Sequence, residues 1–169
     1  MLRLSELVRR FHEDPQGVRG ELMPAVLLWK EAPVTATKEL IWQTLPRFAI
    51  GQRPHDPAVF AIRKHPKKTN AFALGVTVGR ANNNDIVLEH GSVSRFHAYL
   101  QFDGSGDFRM FDADSSNGTF CNDQPVDRDQ GARLVDGARI ALGDVTLHFY
   151  RGATFEAMWL ARSRLGPHR

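Results

Sequence analysis

From Ala58 onward the chain is a succession of short β-type runs: VFAIRK, AFALGVTVG, DIVL, RFHAYLQF, FRMFD, GTFCN, ARIAL and VTLHFY. They recur about every ten residues, the spacing of strands in an all-β sandwich or barrel rather than of a βαβ fold. Polar turn signals divide them: HPKKTN, NNND, EHGS, DGSGD, ADSSNG, NDQP, VDG and LGD. Alternation supports the same reading, because residues two apart in a strand share a face. Phe96, Ala98, Leu100 and Phe102 fall on one such face, and Val145, Leu147 and Phe149 on another. The expected fold is mainly β, an antiparallel sandwich.

The flanks differ in texture. Leu4, Leu7, Val8 and Phe11 recur at helical spacing until DPQG (Asp14–Gly17) breaks the pattern. A second amphipathic stretch runs through Leu40, Ile41, Leu45 and Phe48, with Thr37 placed to cap it. GQRPHDP, residues 51–57, has the composition of a linker. TFEAMWLARSRLGPHR at the far end forms a short helix if Phe155, Trp159 and Leu160 pack while Arg162, Arg164 and Arg169 stay solvated. The expected division is therefore a partly helical extension over 1–55, a β domain over 56–150 and a basic tail over 151–169.

Charge excludes several functions. The net charge is +3, but residues 56–150 carry ten basic and twelve acidic side chains. The basic excess lies in the flanks, whereas a nucleic-acid binder concentrates it on the folded reading surface. RKHPKK, Arg63–Lys68, is the exception and reads as a solvated strand end and turn. The longest apolar runs, such as PAVLLW (Pro24–Trp29), are far too short to span a bilayer. No secretory signal is recognisable, so a cytoplasmic location is the default. A single cysteine, Cys121, excludes an intramolecular disulfide and a multi-cysteine metal site; its strand position makes it a small buried apolar residue.

Three polar clusters then share one position, the junction of strand and loop, where a rigid sandwich displays binding residues. They are Gly79-Arg80 after VTV, Ser94, Arg95 and His97 within SVSRFH, and Ser116-Asn117-Gly118-Thr119 within DADSSNGTF. Each has a plain structural explanation. Asn-Gly builds hairpin turns, Ser94 can cap a turn, and His97 can be a buried histidine with satisfied hydrogen bonds. An enzyme would use Ser94 and His97 as nucleophile and base, but no acid that would orient the imidazole is identifiable. A calcium loop starting at Asp112, Asp114 and Ser116 fails, since its glycine comes one place late and Asp123 stands where glutamate is required.

Taken together, Gly79-Arg80, NNNDIVL, Ser94-x-x-His97, DSSNGTFCN and LVDGARIALG resemble the forkhead-associated (FHA) domain over about residues 56–150. One departure is DGARI, where the family more often has an acidic residue after the glycine. That position bears on local turn stability. The resemblance implies a β-sandwich whose loops at one end bind phosphothreonine in a partner protein. Such a group carries close to two negative charges and three strong acceptor oxygens, which call for a fixed cation and aimed neutral donors.

By resemblance Arg80 makes the charged contact, Ser94 donates its hydroxyl, and Arg95 is a second cation. Ser116 lies beside the phosphothreonine methyl and phosphate, and Asn117 holds the peptide main chain. Gly79, His97 and Gly118 support the site. The implied function is an adaptor in Ser/Thr kinase signalling, neither an enzyme nor dependent on a metal or other cofactor. Its partner would be a phosphothreonine-containing protein, a Ser/Thr kinase or a kinase substrate, with no nucleic acid or membrane involved. The competing reading keeps the fold but makes it a scaffold that binds its partner without phosphate. Thr35 and Thr37, in the stretch before the sandwich, are candidate phosphorylation sites for which the helix-capping role of Thr37 is the simpler reading.

Overall fold

The computed structural model describes residues 1–31, 56–65, 72–73, 75–103 and 105–160. The stretch from Leu40 to Phe48, Thr35 and Thr37, most of the 51–57 segment, and Arg162, Arg164 and Arg169 lie outside them. In chain order the elements are β1 (Leu2–Arg3), α1 (Leu4–Glu13), α2 (Pro15–Leu22), β2 (Ala25–Trp29), β3 (Ala58–Ala61), β4 (Val76–Gly79) and β5 (Ile86–Val87). There follow β6 (Ala98–Phe102), β7 (Phe108–Asp112), β8 (Thr119–Cys121), β9 (Gln124–Pro125), β10 (Ala132–Leu134), β11 (Arg139–Leu142), β12 (Val145–Arg151) and α3 (Gly152–Phe155). A wide helical turn, Glu156–Leu160, continues α3.

The strands form two sheets, one ordered β1-β3-β2-β12-β11-β8-β9 and the other β10-β7-β6-β4-β5. Pairing is antiparallel except between β4 and β5, where Val78 and Gly79 lie beside Ile86 and Val87 in parallel. The inner faces meet in a core that includes Leu27, Val78, Leu100, Met110, Ile140, Leu142, Leu147 and Phe149. Each fully buried Leu, Ile or Phe contributes about 1.5–3 kcal/mol relative to exposure. The alternation expected in β12 is present, with Val145, Leu147 and Phe149 all buried. In β6 only the middle of the stripe is. Ala98 and Leu100 are buried, Phe96 precedes the strand and is exposed, and Phe102 stacks on Phe108 at 4.8 Å while remaining half exposed.

A layer of helices covers the outer face of the larger sheet. Leu7 and Phe11 of α1, Val18 and Leu22 of α2, and Phe155 and Leu160 pack on Val26, Leu28, Val59 and Tyr150. The DPQG segment does more than end α1. Asp14 accepts from the Gly17 amide at 2.9 Å and Pro15 occupies the first turn, so the same four residues cap and open α2. Arg19 of α2 pairs with Glu156, tying the two flanks together.

The expected boundary at residue 55 does not coincide with an edge of the sheet. β2 lies between β3 and β12, with Val26 opposite Ala61 on one side and Tyr150 on the other. All five of its residues are buried. A strand covered on both faces needs an unbroken apolar run, which is what AVLLW supplies.

Candidate functional site

Three connections meet at one end of the sandwich: Arg80–Asp85 after β4, Leu88–His97 before β6, and Ala113–Gly118 between β7 and β8. Main-chain hydrogen bonds stitch the first two. The Arg80 amide donates to the Ser94 carbonyl at 2.9 Å and the Ala81 amide to the Arg95 carbonyl at 3.1 Å. Glycine is required at 79 because a Cβ there would collide with the Arg95 carbonyl. Asn84 reinforces the junction from inside. It is buried, and its Nδ2 donates to the Arg95 carbonyl at 2.6 Å and the Ala81 carbonyl at 2.8 Å.

The side chain of Asp85 is fully buried and closes the first loop onto the sheet. It accepts from the Thr77 amide and hydroxyl, the His65 amide and the Lys64 ammonium, at 2.9 to 3.0 Å. Burial acts most strongly on this carboxyl and would raise its pKa. The hydrogen bonds from His65, Thr77 and Lys64 outweigh it and hold the group below its ordinary range.

His97 joins the second connection to the third. It is fully buried; its Nδ1 accepts from the Ser94 amide at 3.0 Å, and its Nε2 lies 3.1 Å from the Gly118 carbonyl. An amide can only donate and a carbonyl only accept, so the neutral tautomer with hydrogen on Nε2 is the one that fits both. Burial lowers its pKa, opposed by the Gly118 carbonyl and Asp112. Both ring nitrogens serve the main chain, so neither is turned to the Ser94 hydroxyl as a catalytic base would be.

The third loop is folded around Asp112. Its carboxylate accepts from the Ser115 hydroxyl at 2.6 Å, the Ser115 amide at 3.0 Å and the Thr119 hydroxyl at 2.6 Å. Burial would raise this carboxyl too, but those bonds hold it lowered. Asp114 and Gly118 adopt positive φ, 59° and 74°, which turn the chain sharply on either side of Ser115-Ser116-Asn117. Asp114 is paired with Arg128 at 2.6 Å.

Ser94, Ser116 and Asn117 come together on these supports. The Ser116 amide donates to Ser94 Oγ at 3.0 Å, with the two hydroxyls 3.4 Å apart. Asn117 Nδ2 donates to the Ser92 carbonyl at 2.7 Å. Arg80 is exposed, and its Nε donates to the Val93 carbonyl at 3.1 Å. Arg95 is exposed as well. Among the described residues neither guanidinium is paired with a carboxylate. Asn84, Asp85 and Ser92 join the site from outside the residues expected to form it. The signal for the first two was present in NNND, a loop with more amide and carboxyl side chains than a solvent-facing turn needs.

Among the described residues no helix is long and apolar enough to cross a membrane, and no cluster of three or more His, Cys, Asp or Glu could hold a metal ion. Cys121 is buried as a free thiol, which raises its pKa.

Comparison with known proteins bears on the family and the fold. The family model described as FHA domain matches residues 76–143. The chain is 33% identical over 102 residues to the glycogen accumulation regulator GarA of Mycolicibacterium smegmatis, a match covering 59% of this chain and 62% of that protein. It is 31% identical over 102 residues to the oxoglutarate dehydrogenase inhibitor of Corynebacterium efficiens, covering 59% of this chain and 69% of that one. The match thus spans about six-tenths of the length of the GarA relatives. Among solved structures, the FHA domain of CT664 from Chlamydia trachomatis superposes with a TM-score of 0.50 at 19% identity, covering 74% of this chain and 95% of that one, a likeness of fold. The chain belongs to the FHA domain family.

Proposed function

We propose that the rim formed by Arg80, Ser94, Arg95, Ser116 and Asn117 binds phosphothreonine in a partner protein, and that the chain acts as an adaptor in Ser/Thr kinase signalling. The supporting observation is the pair of exposed guanidiniums, free of carboxylate partners among the described residues, on loops locked together through Ser94, Asn84 and His97. Two cations left unpaired suit an anionic ligand. The hydroxyls of Ser94 and Ser116 and the remaining amide capacity of Asn117 suit the phosphate oxygens and an extended main chain.

The relatives bear the names of a regulator and an inhibitor, and we take this chain likewise to regulate by binding rather than to catalyse. Its folded unit on this reading is the sandwich together with β2 and the helical layer, acting in the cytoplasm. A phosphothreonine peptide-library screen tests the proposal, with Arg80→Ala as control. Enrichment of phosphorylated sequences by the wild-type protein and its loss in the variant support it. Enrichment that persists after phosphatase treatment would make the rim a phosphate-independent docking surface instead.

A further inference from the structure

Asn117 is held from behind by a second set of residues. Its amide nitrogen donates to the Ser92 carbonyl at 2.7 Å, which fixes the plane of the carboxamide. Asn117 is exposed, and among the described residues its side chain makes no other hydrogen bond, which leaves Oδ1 and the second N–H for a ligand. Ser92 is itself clamped. Its Oγ accepts from the Asp144 amide at 2.8 Å and lies 2.8 Å from His90 Nδ1. The Ser92 amide also points at that nitrogen, at 3.3 Å, so Nδ1 carries a lone pair and the Ser92 hydroxyl donates to it.

Gly143 sets the remaining boundary. It has φ 58°, and a Cβ there would stand 2.5 Å from the Ser92 carbonyl oxygen and 2.7 Å from Ser92 Oγ. The β11–β12 turn therefore reaches the Ser92 carbonyl only because position 143 has no side chain. The contact is long-range in sequence: Asp144 and Ser92 are 52 residues apart.

We propose that Ser92 is a positioning residue for peptide recognition: with His90 and the Gly143-Asp144 turn it fixes the Ser92 carbonyl, and through it the orientation in which Asn117 presents its amide to the bound main chain. The inference rests on the phosphothreonine-binding reading. It adds that the β11–β12 turn, remote in sequence from every residue expected to touch the ligand, governs the peptide part of the affinity.

The test is a double-mutant cycle on affinity for a phosphothreonine peptide selected from a degenerate library against the wild-type protein. Ser92→Ala removes the hydroxyl and keeps the carbonyl. Losing one neutral hydrogen bond corresponds to roughly fivefold weaker binding. That loss is expected when Asn117 is present and absent in the Asn117→Ala background, while any change in melting temperature is the same in both. Ser92→Thr, which keeps the hydroxyl, restores affinity. Gly143→Ala follows the pattern of Ser92→Ala by displacing the carbonyl directly. Equal losses in both backgrounds, or no loss in either, overturn the positioning role while leaving phosphothreonine binding intact. If the wild-type protein selects no phosphorylated peptide at all, the site reading fails and this inference with it.

Discussion

Ser94 Oγ accepts the Ser116 amide at 3.0 Å, so a hydroxyl expected to donate to a phosphate is already one half of a bridge between two loops. The acceptor side of the hydroxyl is used, and its hydrogen makes only a long bond to Ser116 Oγ at 3.4 Å, which a phosphate oxygen would replace. This divides the rim residues into those that also hold the loops and those that only meet the ligand.

Arg80 belongs mainly to the second group. Arg80→Ala should weaken phosphopeptide binding at least tenfold, since a charge-assisted hydrogen bond contributes about 1.5–3 kcal/mol. Its melting temperature should stay near wild type. Ser94→Ala should lose comparable affinity and also melt somewhat lower, because the Ser116 amide loses its acceptor. Titration and thermal melts of the two variants side by side check the distinction.

His97→Ala should be chiefly a stability variant. It leaves the Ser94 amide and Gly118 carbonyl without their partner, and each orphaned buried group costs about 1–3 kcal/mol. A fall in melting temperature of roughly 5–15 °C is expected for a chain of this size. Calorimetric melting that matched wild type would reverse the assignment.

The same histidine gives a pH dependence. Its pKa is lowered by burial, so the native state refuses a proton that the unfolded chain accepts. Above the unfolded value of about 6.5 both states are neutral and stability is complete. As the pH falls through that value the unfolded chain protonates first and stability declines. His148 acts in the same sense, lowered by burial and by Lys30 and Arg139. Asp85 and Asp112 are lowered carboxylates; their contributions are lost only as the pH falls below about 3.9. Melting temperature of the free protein should therefore fall between about pH 7.5 and 5.5, and fall less in His97→Gln. A flat profile would contradict the buried neutral imidazole.

Asn84→Ala should reduce both stability and binding. Its amide holds the Arg95 and Ala81 carbonyls from a buried position, so its loss loosens the loop that carries Arg80 and leaves each carbonyl with only its main-chain donor, the Ala81 and Asn84 amides respectively. A loss of about 1–3 kcal/mol by denaturant unfolding is expected, the net worth of two hydrogen bonds. Asn84→Ala binding phosphopeptide like wild type would show that the loop holds its shape without it.

The β-sandwich was legible because short alternating runs and turn signals are local properties of the sequence. The clusters at Arg80, Ser94 and Ser116-Asn117 were legible because their spacing follows a family pattern. β2 was harder to see. AVLLW has no alternation, since both of its faces are covered, and an unbroken apolar run does not distinguish a strand from a helix. The start of α2 was hidden because Asp-Pro signals both a break and a cap. Asn84, Asp85 and Ser92 were missed for a third reason: their partners Arg95, Thr77 and Asp144 lie 8 to 52 residues away, and only the folded chain brings them together.

The most direct measurement of the central claim is titration calorimetry with two peptides that differ only in the phosphate on one threonine. The phosphorylated peptide should bind with a Kd of about a micromolar, near −8 kcal/mol. The plain peptide should bind at least tenfold more weakly, and the difference should vanish in Arg80→Ala. Equal affinity of the wild-type protein for both peptides would contradict the account.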